Sequence, residues 1–287
     1  MEFIEILKVI LLGIVEGITE WLPVSSTGHL ILFEKFLPLK SLSDAFKNTF
    51  EYVVQLAAIL AVVVVFWKRI FPLEKKQNEL DGKMKLAWKS ETISLWLKVI
   101  VACLPAVVAV LLDGLFEKLS PMQETIVISS TLIVYGVLFI IVENYKKNSD
   151  PKVKEVAELS FRYAFFIGCF QVLAAIPGTS RSGVTIIGAL LLGVSRTTAA
   201  EFTFFLAIPT MVGASGYKLL KFFMDGNVFS GAEIGYLCIG CAVAFIVSLF
   251  AIKFLMNFVK KHDFKPFGYY RILLGVVVLS ALVFPYL

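Results

Sequence analysis

Glu16 and Glu20 stand four residues apart in an otherwise apolar stretch, which runs on into Ser25-Ser26-Thr27-Gly28-His29. On a helix that spacing puts both carboxylates on one face, with Gly13 and Gly17 beside them. Two adjacent carboxylates repel unless a cation lies between them. They therefore point to a divalent metal held by oxygen ligands, Mg²⁺ or Ca²⁺, with a bound diphosphate completing its shell. The plainer reading is a helix end at headgroup level, where both groups are solvated. Ser25, Ser26, Thr27 and Gly28, at the start of a short apolar helix, offer hydroxyls and free backbone N–H groups, a ready anion site. His29 has the neutral-range chemistry that suits proton transfer. The other histidine, His262, lies in a basic loop and reads as solvated.

A second polar turn, Gly178-Thr179-Ser180-Arg181-Ser182-Gly183, also follows an apolar stretch and leads into a short apolar tail. It repeats the hydroxyls and adds a guanidinium, whose planar fork grips phosphate oxygens in pairs. Arg181 has a structural alternative, pairing with Glu16 or Glu20, and both roles are compatible until substrate arrives. Gln55 reads as a cavity-lining donor, whereas Glu51 and Glu201 open their spans and read as partners of helix N-terminal dipoles. Gly13-x-x-x-Gly17 marks close helix packing. Together these residues make an anion site of phosphate character with a metal-holding acidic face and a titratable base. Such a site hydrolyses or carries a phosphorylated, membrane-bound molecule.

The elements that must position these residues are apolar. Of 287 residues, 58% are hydrophobic and 17% charged, and the mean hydropathy is +0.84. A soluble domain carries about 25% charge, so a water-soluble globule is excluded, as are a disordered chain and a coiled coil. A polytopic membrane protein remains. The net charge of +5 sits in clusters between apolar runs, so it reads as topology and no nucleic-acid partner is expected. Cys103, Cys169, Cys238 and Cys241 lie inside apolar stretches and read as packing thiols, Cys238-x-x-Cys241 included. The early acidic residues and the lack of a small-residue cleavage site argue against a cleavable signal.

Six stretches approach the ~20 residues that a bilayer core requires: 46–67, 93–112, 126–142, 202–220, 234–256 and 267–287, the third needing its flanks to complete it. Segments 3–22 and 159–176 are instead each followed by a polar turn and a half-length apolar tail. That is the pattern of a re-entrant hairpin, with irregular backbone tolerated only where protein or a wet cavity surrounds it. Pro105 and Pro209 read as kinks. Gly13-x-x-Glu16 matches Gly168-x-x-Gln171, Pro23-x-Ser25-Ser26 matches Pro177-x-Thr179-Ser180, and Glu51 with Leu56-Ala57 matches Glu201 with Leu206-Ala207. One unit of hairpin plus three spans thus occurs twice, and an odd span count inverts the second copy.

The expected fold is an all-α polytopic membrane protein with an inverted repeat, six spans and two re-entrant hairpins. It forms a single membrane domain over 1–287, with repeat 1 at about 1–148 and repeat 2 at about 155–287. The lysine- and arginine-rich loops at 68–90, 144–158 and 257–266 fall on one side if the hairpins do not cross. That side is expected to be cytoplasmic, whereas the loops at 113–123 and 221–232 are poor in net positive charge. Both termini then face outward, and the two polar tips meet near the midplane.

At Glu16-Gly17-Ile18-Thr19-Glu20-Trp21-Leu22-Pro23-Val24-Ser25-Ser26-Thr27-Gly28-His29-Leu30 and Pro177-Gly178-Thr179-Ser180-Arg181-Ser182-Gly183, the chain resembles the bacterial undecaprenyl-diphosphatase (bacitracin-resistance) family. Gln55-Leu56-Ala57-Ala58-Ile59-Leu60-Ala61 and Gly193-Val194-Ser195-Arg196 extend the resemblance over nearly the whole chain. It implies an integral phosphatase of the bacterial plasma membrane, open to the outer side. That enzyme converts undecaprenyl diphosphate to undecaprenyl phosphate and inorganic phosphate, recycling the lipid carrier for peptidoglycan synthesis. The family's acidic pair, seryl nucleophile, histidine and arginine fall on Glu16, Glu20, Ser26, His29 and Arg181. Ser25, Thr27, Gly28, Thr179, Ser180, Ser182 and Gln55 are expected to bind substrate. The resemblance also implies metal dependence and an inverted-repeat fold, with membrane lipids as partners and a homodimer left open. Two schemes stay open: attack by Ser26 with His29 taking its proton or serving the leaving oxygen, and water activated directly by His29 or a glutamate with Ser26 as a ligand. The rival class is a transporter or flippase of isoprenoid phosphate or another anion, because broken helices in inverted repeats are common among carriers.

Overall fold

A computed structural model describes residues 2–39, 42–77, 84–108 and 119–283. The helices are α1 (Phe3–Thr19), α2 (Ser26–Phe36), α3 (Asp44–Val65), α4 (Ser90–Cys103), α5 (Pro121–Lys146), α6 (Phe161–Val172), α7 (Arg181–Leu191), α8 (Arg196–Met224), α9 (Gly231–Phe258) and α10 (Lys265–Val283). Serine begins many of them. The hydroxyls of Ser43, Ser120, Ser160, Ser195 and Ser230 accept from an N–H one turn on, which satisfies an otherwise orphaned donor. Ser120 with Gln123 and Ser230 with Glu233 complete reciprocal capping boxes.

Five helical stretches are long and apolar enough to cross a membrane: Ala45–Val65, Ser90–Val108, Pro121–Lys146, Arg196–Met224 and Gly231–Phe258. The short expected span at 126–142 is indeed completed by its flanks. The sixth, at 267–287, corresponds to α10 (Lys265–Val283). It is not among the five, and 284–287 lie outside the described residues, as do 109–112 of the expected span 93–112 and 113–118 of the loop at 113–123. Exposed faces are apolar, with Phe3, Ile4 and Leu7 each at least half exposed. A contiguous surface of that kind is a lipid-facing or partner-facing one.

The all-α expectation needs one correction. Between α3 and α4 lie a helical turn, Trp67–Ile70, and an antiparallel ribbon of β1 (Leu73–Gln77) and β2 (Met84–Trp88), with Leu73 opposite Trp88. The segment is too charged for a membrane helix, and strand pairing satisfies the backbone groups on the facing edges of its two strands. The prolines divide. Pro209 lies inside unbroken α8, and Pro105 sits in the turn that ends α4.

Helix packing has a two-fold character. α1 packs on α9 and α6 on α4, while α3 with α8 and α5 with α10 pack across the middle. Small residues let the backbones approach. A Cβ on Gly17 would lie 2.8 Å from the Ala244 carbonyl oxygen and 2.9 Å from Val247 Cβ. Gly17→Ala is therefore expected to destabilise the fold by about 1–3 kcal/mol, read as a lower unfolding temperature in detergent; an unchanged temperature would contradict this contact. On the other side, buried Glu143 of α5 accepts from Arg196 Nε and Nη2 at 2.9 and 2.5 Å and from the Phe264 N–H at 2.9 Å. This tethers the start of α8 and the α9–α10 turn to α5.

Candidate active site

The two polar turns end alike. Ser25 (φ 73°, ψ 106°) precedes α2 and Ser180 (φ 67°, ψ 114°) precedes α7, and among the described residues these are the positive-φ residues other than glycine. Such backbone costs on the order of 1–3 kcal/mol per residue and persists where packing over-determines it, often at functional sites. By backbone conformation Ser25 corresponds to Ser180, which sets Ser26 against Arg181 and Gly28 against Gly183, one residue from the Pro-x-x-Ser match. The two helices thus begin with side chains of different chemistry, Ser26 and Arg181.

The second turn caps itself: Ser180 Oγ accepts from the Gly183 N–H at 3.2 Å and lies 3.2 Å from Ser182 Oγ. At the first turn Ser25 makes no side-chain cap, and its hydroxyl is buried without a partner. The N-terminus of α2 keeps its N–H groups for a ligand, whereas that of α7 has one already spent.

Between the turns the side chains meet. Arg181 Nη2 donates to Glu20 Oε1 at 2.8 Å, and Ser26 Oγ donates to Glu20 Oε2 at 3.3 Å. Ser182 Oγ donates to the Glu20 carbonyl at 3.4 Å. Glu20 thus joins the first turn's hydroxyl to the second turn's guanidinium. Arg181 takes the structural pairing that its type allowed, while its Nη1 is buried with no partner. Glu16 is 2% exposed, and neither of its carboxylate oxygens has a hydrogen-bond partner. Its electrostatic neighbours are Glu20, Glu51 and Arg181, with Gln55 beside it. Thr179 is fully buried with an unpartnered hydroxyl.

His29 lies beside the first turn without hydrogen-bonding to Ser26. Its Nδ1 lies 2.7 Å from the Ser25 carbonyl oxygen and its Nε2 2.7 Å from the Tyr270 hydroxyl, with the two rings stacked at 5.6 Å. Neither nitrogen engages Ser26; the group in contact with that hydroxyl is Glu20. The glutamates expected at helix starts are also re-read. Glu51 is the eighth residue of α3 and faces Glu16 and Glu20, and Glu201 pairs with Arg69. The cysteines are free, and His262 stacks on Phe258 at the surface.

Arg271 escaped the sequence reading. It is fully buried, and its Nη2 donates at 3.0 Å to the carbonyls of both Gly178 and Thr179, while Nη1 reaches Pro23 O at 3.4 Å. One guanidinium therefore staples the two turns together and brings positive charge beside them. The available signal was an arginine inside an apparent membrane span, which marks a functional position by its cost alone. Arg271→Leu leaves buried carbonyls unsatisfied and is expected to cost about 2–4 kcal/mol, with phosphate release falling at least in parallel. Arg271→Lys is expected to rescue only part, because a point charge cannot bridge both turns. A stable, fully active Arg271→Leu variant would contradict the staple.

Helices of membrane-spanning length thus hold two serine-ended turns, one acidic and one basic, around an uncapped helix start. This defines a helical membrane protein with a charged polar cluster between two turns. The sequence profile of the bacitracin resistance protein BacA family matches residues 9–277, and the chain belongs to that family. It is 56% identical over 280 residues to the undecaprenyl-diphosphatase of Enterococcus faecalis, covering 97% of this chain and 98% of that protein. Identity to the undecaprenyl-diphosphatase of Lachnoclostridium phytofermentans is 55% over 278 residues, 97% of both chains. For the undecaprenyl-diphosphatase of Desulfitobacterium hafniense it is 54% over 281 residues, 97% of this chain and 96% of that one.

Proposed function

We propose that this protein is an integral phosphatase of the bacterial plasma membrane. It hydrolyses undecaprenyl diphosphate to undecaprenyl phosphate and inorganic phosphate, with its site open to the outer face. The observation that carries the reading is the Ser26–Glu20–Arg181 chain, which joins a hydroxyl, a carboxylate and a guanidinium across the two turns. The near full-length similarity to undecaprenyl-diphosphatases supports the substrate. The two-fold packing and the twin positive-φ serines support six spans in an inverted repeat with two re-entrant hairpins.

Phosphoryl transfer depends on positioning and charge neutralisation. Arg181, the uncapped N–H groups at Ser26, Thr27 and Gly28, and the hydroxyls of Ser25, Thr179 and Ser182 hold the diphosphate. The incoming phosphate competes with Glu20 for Arg181, which releases the Glu20 carboxylate. Glu20 then accepts the Ser26 proton as Oγ attacks the terminal phosphorus and the isoprenyl phosphate leaves. Water subsequently clears the phosphoserine. His29, held by the Ser25 carbonyl and the Tyr270 hydroxyl, fixes the first turn.

Among the described residues no group of three or more His, Cys, Asp or Glu is placed to hold a metal. Glu16 fits one nonetheless, since its two buried oxygens lack partners and Mg²⁺ is commonly held by one or two carboxylates plus substrate phosphate. Glu16, with Glu20 beside it, would hold Mg²⁺ or Ca²⁺, and the bound cation supplies positive charge to the diphosphate. Purified protein in detergent is expected to release inorganic phosphate from a short isoprenyl diphosphate, to stop in EDTA and to recover with added cation. Glu16→Gln is expected to need more cation for half-maximal rate. Full activity in EDTA would remove the metal from this account, and vesicle transport without phosphate release would make the protein a carrier.

A further inference from the structure

The basic segments do more than punctuate the membrane spans. They converge, with the charged ribbon, on a cavity of about 1300 Å³ lined from α4, α8, α9, the ribbon and the Val156–Glu158 turn. Its cations outnumber its acids, and the acids are largely committed: Glu201 pairs with Arg69, Glu155 joins the capping box of the Val156–Glu158 turn, and Glu91 lies in the first turn of α4. Lys154, Lys253 and Lys260 make no ion pair among the described residues.

Lys98 separates this cavity from an ordinary basic loop. It is the ninth residue of α4 and 5% exposed, and its ammonium is held by two carbonyl oxygens, Ala157 at 2.8 Å and Val156 at 3.4 Å. A topology signal needs lysines in loops, whereas Lys98 is buried within a span, and its two carbonyl bonds leave one of three ammonium donors for an anion. The cavity that Lys98 lines is where an anion would sit. Trp88, 68% exposed, shares that lining, and the stacked Trp67–Phe71 pair lies next in the chain to Lys68. Exposed aromatics beside basic groups are the signature of a lipid headgroup region. Between the cavity's Phe66 and the two turns lie the fully buried rings of Phe204, at 6.1 Å from Phe66, and Trp21, at 5.5 Å from Phe204. The cavity lining includes neither Glu20, Ser26 nor Arg181, so it is distinct from the site between the turns.

We propose that this cavity is a second anion site that binds a phosphate group, carried by an anionic lipid headgroup of the adjoining leaflet or present as free inorganic phosphate. The site is independent of the diphosphatase reading. The test uses the full-length protein in an Arg181→Ala background, so that the catalytic turns do not contribute, with dioleoylphosphatidylglycerol, dioleoylphosphatidylcholine and inorganic phosphate as separate probes. Binding is measured by native mass spectrometry and calorimetry. A basic residue near a lipid surface is worth roughly a fivefold change in affinity, so Lys253→Gln/Lys260→Gln is expected to weaken phosphatidylglycerol about 25-fold, with phosphatidylcholine little affected. Parallel weakening for inorganic phosphate identifies the phosphate alone as sufficient; weakening confined to phosphatidylglycerol identifies the headgroup lipid. Lys98→Met, tested separately, is expected to lower affinity for the same probe, whereas a purely structural Lys98 would change unfolding temperature without changing affinity. The Lys253→Gln/Lys260→Gln change with Arg181 intact is expected to leave phosphate release unchanged. Absence of anion binding, or equal binding by the lysine variants, overturns the proposal whatever the catalytic result.

Discussion

Arg181→Ala is expected to reduce phosphate release by about 10³-fold or more while the protein remains folded. Removing a single preorganised donor from developing charge costs on the order of 10²–10³, and arginines at transferring phosphoryl groups reach 10³–10⁵. Arg181 also neutralises Glu20, at 2.8 Å and with both side chains mostly buried. Truncation therefore leaves an uncompensated carboxylate against the incoming anion, which compounds the loss. The Glu20 charge accounts for that second part, so Arg181→Ala/Glu20→Gln is expected to recover thermal stability without recovering turnover. Phosphate release by malachite-green assay and unfolding by scanning fluorimetry separate the two effects. Near-normal turnover in Arg181→Ala would remove the anion grip.

Ser26→Ala is the second large effect. Loss of an attacking hydroxyl typically costs 10⁴-fold or more, and the expected result is turnover near background with substrate still bound. Rapid acid quenching of the unmodified protein should show phosphate covalently attached at Ser26, and mass spectrometry of the peptide containing Ser25 to Leu30 locates it. The geometry adds a partner-specific expectation. Glu20→Gln should slow formation of that phosphoserine, because Glu20 holds the Ser26 hydroxyl. His29→Gln should do so less, because its nitrogens engage Ser25 and Tyr270. Full activity in Ser26→Ala would replace the seryl scheme with direct attack by water.

Much of the helical framework is legible because its signal is hydrophobic run length, a one-dimensional property. Ser120 and Lys146 bound α5 where apolar counting alone stopped at 126 and 142, since capping and snorkelling ends add turns that hydropathy does not register. The ribbon at Leu73–Trp88 was not legible: strand pairing between short, charged segments depends on cross-strand neighbours rather than local pattern. At the site, residue type and spacing single out Glu16, Glu20, Ser26 and Arg181, which carry unusual chemistry for their surroundings. The spacing does not reveal that Glu20 takes both Ser26 and Arg181 while Glu16 is left without a partner. Nor does it reveal the one-residue shift that aligns Ser25 with Ser180, which is visible only in φ. Arg271 lies 248 residues beyond Pro23 and Tyr270 lies 241 beyond His29, and only tertiary packing of α10 brings them together.

The central claim is that one diphosphate is held jointly by the turn before α2 and the turn before α7. Calorimetric binding of a non-hydrolysable methylene-bridged isoprenyl diphosphonate tests it directly, comparing the unmodified protein with Arg181→Ala and with a Ser25→Ala/Ser26→Ala/Thr27→Val variant. The account predicts that each variant, altered on one turn only, binds at least tenfold more weakly, a loss of about 1.4 kcal/mol or more. Unchanged affinity in either variant would show that the diphosphate does not bridge the two turns.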